Sequence, residues 1–280
     1  MHPELLPAAP GPIGVFDSGF GGLTILRDIC RRLPAYDYLF LGDNARAPYG
    51  TRSFDVVYRF TLQAVRYLFA RGCHLVILAC NTASAKALRT IQQCDLPTLD
   101  PSRRVLGVIR PTVEILPERT RNGHIGLVGT PGTVASRSYD IEIGKMHPDM
   151  RVTAHACPMW VPLVENREGS TPGARYFVER DIRGLLDADP DIDTLILGCT
   201  HYPLLADIIR GALPETVDVL SQGRVVADSL ADYLHRHPDM AARCTTGGTV
   251  RYLTTENAER FSSLASMFMG QPVEALQVEL

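Results

Sequence analysis

The chain has 280 residues, a length that suits one large α/β domain or two smaller ones. Hydrophobic residues make up 45% of it and charged residues 21%, as in ordinary soluble globular proteins. A net charge of -3 gives no electrostatic argument for nucleic acid or an anionic membrane as partner, and no apolar run approaches the ~20 residues that span a bilayer. Residues 1–12 lack the pattern of a signal peptide, so we expect a cytoplasmic protein.

The seven cysteines also favour a reducing compartment. Their number is odd and no two of them form C-x-x-C, which disfavours both a disulfide framework and a zinc ribbon. Most free cysteines are small buried hydrophobic residues, so a single one carries little functional signal. The seven are Cys30, Cys73, Cys80, Cys94, Cys157, Cys199 and Cys244.

Along the chain, short apolar runs rich in β-branched residues alternate with amphipathic stretches, the pattern of parallel sheets covered by helices. Nine strands are predicted, at 13–16, 38–41, 75–79, 105–109, 125–128, 152–155, 194–197, 217–220 and 250–253. Eight helices are predicted, at 22–32, 53–71, 84–92, 134–146, 173–186, 203–212, 225–235 and 257–269. The last segment, 271–280, is interpreted as a surface end.

A faint internal repeat relates two parts of the chain. The segment 13–16 resembles 125–128, and the run that ends in Cys80 resembles the run that ends in Cys199. So short a repeat can arise by chance, but two matched pairs in the same order favour duplication. Because ligands bind outside the carboxyl ends of parallel strands, two facing domains would place Cys80 and Cys199 on opposite walls of one cleft.

Two facing thiols suit one particular chemistry. Inverting an α-carbon without a cofactor or metal requires one group to remove the proton from one face and another to return a proton to the opposite face. A thiol and a thiolate can do this if their surroundings adjust their pKa values. The polar residues Asn81, Thr82 and Ser84 after Cys80 could bind a carboxylate at a helix start.

The second thiol has a comparable setting, in which Thr200 could bind an anion and His201 could share a proton with Cys199. The alternative interpretation is that the Thr and Ser residues are only helix caps and that both cysteines are core residues. The same strand–Cys–polar–helix order occurring twice makes that alternative the weaker one.

Three glycine-containing loops remain. The loop 17–22 would bring Asp17 to the mouth of the cleft, where it could orient or deprotonate Cys80, but it has no dinucleotide or P-loop pattern. The loop 129–133 lacks the P-loop lysine, and a turn with a helix cap explains it. The loop 42–50 is equally consistent with a surface loop and a functional one.

Several long segments together resemble bacterial glutamate racemases. They are D-S-G-F-G-G-L at 17–23, L-G-D-N-A-R-A-P-Y-G at 41–50, A-C-N-T-A-S-A at 79–85, G-T-P-G-T at 129–133, P-L-V-E at 162–165 and G-C-T-H-Y-P-L-L at 198–205. The resemblance covers roughly residues 13–230. It implies interconversion of L- and D-glutamate without a cofactor or metal, supplying D-glutamate for peptidoglycan.

The resemblance also implies roles for individual residues. Cys80 would take the proton from the D-isomer with the help of Asp17. Cys199 would take it from the L-isomer with the help of Glu165 and His201. The residues implied to hold the substrate are Asp17, Ser18, Tyr49, Gly50, Asn81, Thr82, Thr200 and His201.

The implied fold is α/β, with two similar domains of mostly parallel sheets flanked by helices and the active site in the cleft between them. The first domain would comprise residues 1–104 and 217–280, with the second, 105–216, inserted in it, and the protein would be a homodimer. The chain departs from the family at Arg110-Pro111-Thr112, where members often have Glu-Pro-Gly, so no regulatory property is carried over.

Three other functions stay open at this point. An aspartate or hydantoin racemase would share the cysteine pair but not the pocket. A two-domain clamp that binds an amino acid without turnover would share the fold but has no use for paired thiols. A cysteine hydrolase using His201 would leave Cys80 without a role, and its histidine is usually distant in sequence.

Overall fold

The computed structural model describes residues 9–280, which form two parallel β-sheets with helices packed around them. The first sheet has the strand order β10-β9-β2-β1-β3-β4 and the second has β6-β5-β7-β8. The strands are β1 (Ile13–Asp17), β2 (Tyr38–Gly42), β3 (Leu75–Leu78), β4 (Arg104–Gly107), β5 (His124–Gly129), β6 (Arg151–Ala156), β7 (Thr194–Gly198), β8 (Asp218–Leu220), β9 (Val250–Thr254) and β10 (Ala275–Gln277). The predicted α/β fold class is confirmed.

Fifteen α-helices lie in the described part of the chain. They are α1 (Leu23–Arg32), α2 (Phe54–Ala70), α3 (Asn81–Lys86), α4 (Leu88–Thr90), α5 (Leu96–Leu99), α6 (Ile109–Glu114), α7 (Leu116–Arg119), α8 (Pro131–Ser136), α9 (Ser138–Met146), α10 (Trp160–Glu165), α11 (Pro172–Ala188), α12 (Ala206–Ala212), α13 (Gln222–Arg236), α14 (Pro238–Ala241) and α15 (Ala258–Met269). Short 3-10 helices occur at Asn44–Arg46 and Tyr202–Leu205, and a π-helical turn at Ile91–Asp95.

Burial explains why these segments fold as they do. The central strands β1 and β7 are buried along their whole length, which is why they are continuous apolar runs rather than alternating ones. Helix α2 buries Val57, Val65 and Leu68 on one face, at the spacing of a 3.6-residue period. Each such aliphatic side chain contributes about 1.5–3 kcal/mol when fully buried.

The two sheets repeat one arrangement. The order β2-β1-β3-β4 in the first sheet matches β6-β5-β7-β8 in the second, with β1 and β5 equivalent, as the sequence repeat predicts. Cys80 follows β3 and Cys199 follows β7, so the two thiols occupy corresponding positions at the carboxyl ends of their strands.

Several predicted boundaries were wrong. Strand β4 ends at Gly107 and Ile109 already begins α6, because the chain turns away to cross between the sheets. The segment 271–280 contains β10, which pairs with β9. Helix α3 begins at Asn81 rather than at residue 84, so the polar residues after Cys80 lie inside its first turns. The short helices α5, α6, α7, α10 and α14 were not predicted.

The division into domains stays a proposal, but strand pairing moves its two edges. Strand β4 pairs with β3 in the first sheet, although residue 105 was expected to open the second domain. Strand β8 pairs with β7 in the second sheet, although residue 217 was expected to return to the first domain. Each crossing therefore comes one strand later than predicted. No helix among residues 9–280 is long and apolar enough to cross a membrane.

Candidate active site

A small cleft between the two sheets contains both cysteines. Its volume is about 90 Å³, below the ~300–1,000 Å³ usual for drug-sized ligands, so it suits a small molecule. Cys80 reaches it from the first sheet and Cys199 from the second. The lining residues are Ser18, Gly19, Ala47, Pro48, Tyr49, Gly50, Thr51, Cys80, Asn81, Thr82, Thr130, Pro131, Cys157, Pro158, Val161, Pro162, Glu165, Cys199, Thr200 and His201.

Cys80 is the N-cap residue of α3. Its Sγ lies 3.4 Å from the backbone N–H of Ala83 and 3.3 Å from the Ser18 Oγ. Burial raises the pKa of the Cys80 thiol to about 12, and the negative charge of Asp17 adds to the shift against the two hydrogen bonds. Cys80 is therefore a protonated thiol at neutral pH.

Asp17 does not line the cleft, contrary to the expectation that it lies at the mouth. It sits behind Cys80 at the end of β1 and is almost fully buried. One oxygen, Oδ2, accepts the Gly19 N–H at 2.9 Å, while Oδ1 has no hydrogen-bond partner within residues 9–280. Burial raises the pKa of Asp17, and the positive charge of His201 opposes that rise.

The second thiol belongs to a hydrogen-bonded series of three residues, Cys199, His201 and Glu165. Cys199 Sγ lies 3.8 Å from His201 Nδ1, and His201 Nε2 lies 3.1 Å from Glu165 Oε1. Burial alone would lower the pKa of His201, but the hydrogen bonds to Cys199 and Glu165 outweigh it and raise that pKa to about 10. At neutral pH the imidazole is a cation held between a sulfur and a carboxylate.

The carboxylate of this hydrogen-bonded series belongs to Glu165, the last residue of α10. The first residue of that helix, Trp160, donates its indole N–H to the buried Asp181 at 2.9 Å and packs against the ring of Tyr202, with 4.7 Å between the ring centroids. The helix is thus fixed at both its core face and its Glu165 end. Its sequence signal is weak because α10 is only six residues long.

Close backbone approach brings the two sheets together around the cleft. The Gly132 N–H donates to the Gly50 carbonyl at 2.7 Å, across the two sheets. A Cβ on Gly21 would lie 2.5 Å from His201 Nδ1, a distance that real Cβ atoms do not show. Glycine is therefore required at position 21, because the loop 17–22 packs directly on His201, which follows β7 of the second sheet.

The cleft brings together all the predicted site residues except Asp17 and Ser84; the Ser84 hydroxyl donates instead to the Leu78 carbonyl at 2.9 Å. The chemical roles of the site residues remain predictions. Tyr49 is anchored by its hydroxyl, which donates to the buried Asp43. The Thr82 hydroxyl lies 3.0 Å from that of Thr130 in the opposite sheet. Thr130 also caps α8, as expected from the sequence, but it faces the cleft as well.

Cys157 was not predicted to line the cleft. It follows β6 directly, so its position after a strand of the second sheet was the available signal. Its Sγ lies 3.8 Å from the His155 carbonyl, and burial raises the pKa of its thiol. It stays protonated and adds an uncharged wall.

The cleft lining contains no Lys or Arg among the described residues. His201 is its only side chain able to carry positive charge. One cluster that could hold a metal occurs in residues 9–280, formed by His124, Asp189 and Asp191 with ligand atoms within 4.8 Å of one another. It lies at the amino end of β5, away from the carboxyl ends where the thiols are, and the Asp189 oxygens already accept from His124.

The fold and cleft define a two-sheet α/β protein with its ligand site between the carboxyl ends of two parallel sheets. The sequence profile described as Asp/Glu/Hydantoin racemase matches residues 13–230. The chain is 44% identical over 271 residues to the glutamate racemase of Ruegeria sp. (strain TM1040), covering 93% of this chain and 97% of that relative.

Solved structures agree with the profile match. Glutamate racemase isoform RacE1 from Bacillus anthracis has a TM-score of 0.88 and 35% identity, covering 96% of this chain and 98% of that one. Glutamate racemase from Francisella tularensis in complex with D-glutamate has a TM-score of 0.85 and 29% identity, covering 98% of each chain. The chain belongs to the Asp/Glu/hydantoin racemase family.

Proposed function

We propose that this chain interconverts L- and D-glutamate by moving protons between the α-carbon and two thiols, Cys80 and Cys199. The observation that carries the proposal is the pair of buried thiols on one small cleft, one from each sheet, each with its own acid/base neighbour. Opposed groups on two walls are what inversion at a carbon centre requires.

The resting charges support a defined starting form. Cys80 is a thiol, and the His201 imidazolium lies 3.8 Å from Cys199 Sγ. Cys199 Sγ takes the α-proton of L-glutamate, the electron pair remains on the α-carbon, and Cys80 S–H supplies a proton to the opposite face. The product is D-glutamate, with Cys199 now a thiol and Cys80 a thiolate.

The enzyme is then in the form that acts on D-glutamate. Cys80 is a thiolate in this form, and Asp17 is packed behind it with one oxygen that has no hydrogen-bond partner within residues 9–280. Because this carboxylate raises the energy of the Cys80 thiolate, it also makes Cys80 a stronger base. The two thiols therefore work as differently adjusted bases, one beside an anion and one beside a cation.

Neutral donors would hold the substrate carboxylates. Ser18, Asn81, Thr82 and Thr200 offer hydroxyl and amide groups to a cleft without Lys or Arg among its described lining residues. Glutamate is favoured over aspartate because the relatives at 40–44% identity are glutamate racemases and because the structurally similar Francisella tularensis enzyme binds D-glutamate. By the same resemblance, we propose a cytoplasmic homodimer that supplies D-glutamate for peptidoglycan.

Purified enzyme incubated with L-glutamate, D-glutamate and L-aspartate in heavy water tests the substrate assignment. We expect α-deuteration and loss of optical rotation with both glutamate enantiomers, and neither with aspartate. Exchange on aspartate without exchange on glutamate would overturn the assignment. Tight glutamate binding without any exchange would instead indicate the binding clamp.

A cysteine hydrolase is less well supported. The Cys199–His201 pair resembles a thiol and its base, but the hydrolase leaves Cys80 unused on the same cleft. An ester or amide of glutamate offered to the enzyme tests this directly, and we expect no hydrolysis.

A further inference from the structure

A closed ring of hydrogen bonds surrounds Asn81, the residue that follows Cys80. The Gln222 Nε2 donates to the Tyr139 hydroxyl at 2.7 Å, and that hydroxyl donates to Asn81 Oδ1 at 2.7 Å. The Asn81 Nδ2 then donates to Gln222 Oε1 at 2.6 Å. All three side chains are buried.

A contact outside this ring fixes the direction of its bonds. Turning one amide alone would place like groups against each other, and turning both would place Gln222 Oε1 against the Val108 carbonyl, to which Gln222 Nε2 donates at 3.4 Å. Tyr139 can serve both neighbours only by accepting from Gln222 and donating to Asn81. The ring therefore selects one orientation of Asn81, and it uses one of that residue's two N–H groups while the side chain lines the cleft.

The ring also reaches both places where the chain passes between the sheets. Thr112 lies in α6, which follows β4 of the first sheet, and Gln222 begins α13, which follows β8 of the second. The Gln222 Nε2 donates to Thr112 Oγ1 at 2.8 Å, and the Thr112 hydroxyl donates to the Val108 carbonyl at 2.7 Å. The two crossings are thereby joined to the residue beside the Cys80 thiol.

We propose that Gln222 and Tyr139 are positioning residues that fix Asn81 for binding of a glutamate carboxylate. The inference rests on the proposed function. It also gives a reason for Thr112 in the segment that departs from the family pattern, because its hydroxyl supplies the second acceptor for the Gln222 amide. We expect the contact that Asn81 makes to be present in both the bound substrate and the transition state, so its loss should raise KM more than it lowers kcat.

The test compares the steady-state KM and kcat of Tyr139→Phe and Gln222→Met with those of the wild type. Glutamate is the substrate, and the temperature is kept well below the unfolding temperature of every variant. We expect KM to rise about fivefold to tenfold, the effect of one or two hydrogen bonds, with kcat within about twofold. Tyr58→Phe is the matched control, since it also loses one tyrosine hydrogen bond, to Asp95, outside the ring, and should keep the wild-type KM.

A merely structural role would lower the melting temperature of the variants and leave KM of the folded enzyme unchanged, which would overturn the inference. Thr112→Ser keeps the acceptor and should retain the wild-type KM, whereas Thr112→Val should raise it. If Gln222→Met does not fold, Tyr139→Phe decides. An active wild type with unchanged variants would reject the positioning role alone, while a wild type inactive on glutamate would reject the proposed function and this inference together.

Discussion

Replacing Glu165 by Gln removes the carboxylate charge from the hydrogen-bonded series that links Glu165 through His201 to Cys199. The carboxylate oxygen lies 3.1 Å from His201 Nε2, and its side chain is 27% exposed. An opposite charge at this range shifts a pKa by about 1–3 units, and partial exposure weakens it, so we expect the pKa of His201 to fall from about 10 by about 1–2 units. Gln keeps the length and one hydrogen-bonding oxygen.

The consequence is an altered pH profile. Because the imidazolium is the active form in our account, kcat/KM falls as pH rises through the pKa of His201 in the free enzyme. The variant should have roughly twofold to tenfold less of this form than the wild type at pH 9 and nearly the same at pH 7. The activity of the variant relative to the wild type should therefore decrease as the pH rises from 7 to 9.

The assay is kcat/KM for either glutamate enantiomer from pH 6 to pH 10. Either direction serves, because the enantiomers have equal free energies and any variant must change kcat/KM equally in both. Glu179→Gln, which removes an exposed carboxylate paired with Arg175 on α11, is the control and should follow the wild-type profile. A Glu165→Gln profile parallel to that of the wild type would refute the role of the carboxylate.

Three further predictions concern the same cleft. Cys80→Ser and Cys199→Ser should each abolish racemisation, measured by optical rotation, yet keep glutamate binding by calorimetry; turnover near wild type in either would contradict two thiol bases. Gly21→Ala should lower kcat/KM at least about tenfold by displacing His201, whereas Gly144→Ala, where the added Cβ meets open space in a helix, should keep full activity and gain up to about 1 kcal/mol of stability. The raised pKa of His201 contributes stability that is fully present below the unfolded-state pKa of about 6.5 and is lost as pH rises through about 10. The free energy of unfolding of the wild type, measured with denaturant, should therefore exceed that of His201→Gln by less and less across that interval. A constant difference would exclude the linkage.

The strands were the most predictable part of the fold. All nine expected strands are present, and the central strands β1 and β7 are buried continuous apolar runs, as parallel strands covered on both faces must be. The tenth, β10, was missed because its three residues are mostly exposed at the sheet edge and carry no such pattern. The crossings were misplaced by one strand each, since sheet membership depends on pairing between distant segments and not on local sequence.

The site was predictable where residues are adjacent in sequence. Cys80 with Asn81, and Cys199 with His201, are short-range pairs that follow strands, so the sequence brings them together directly. Asp17 was expected at the mouth of the cleft but lies behind the thiol, because β1 is a central strand and its end is covered. The ring through Tyr139 and Gln222 joins positions far apart in the chain, and only the packed structure brings them into contact.

The central claim is that two different thiols act on opposite faces of the α-carbon. Its most direct test is to incubate the wild-type enzyme with L-glutamate in heavy water, stop the reaction at low conversion, and analyse the α-position of both isomers. We predict that the D-glutamate formed carries deuterium, because its proton comes from Cys80 after exchange with solvent, while the remaining L-glutamate keeps protium. The reverse pattern should hold when the reaction starts from D-glutamate. D-glutamate that retains the original α-hydrogen would mean that a single group carries the proton from one face to the other, and would contradict this account.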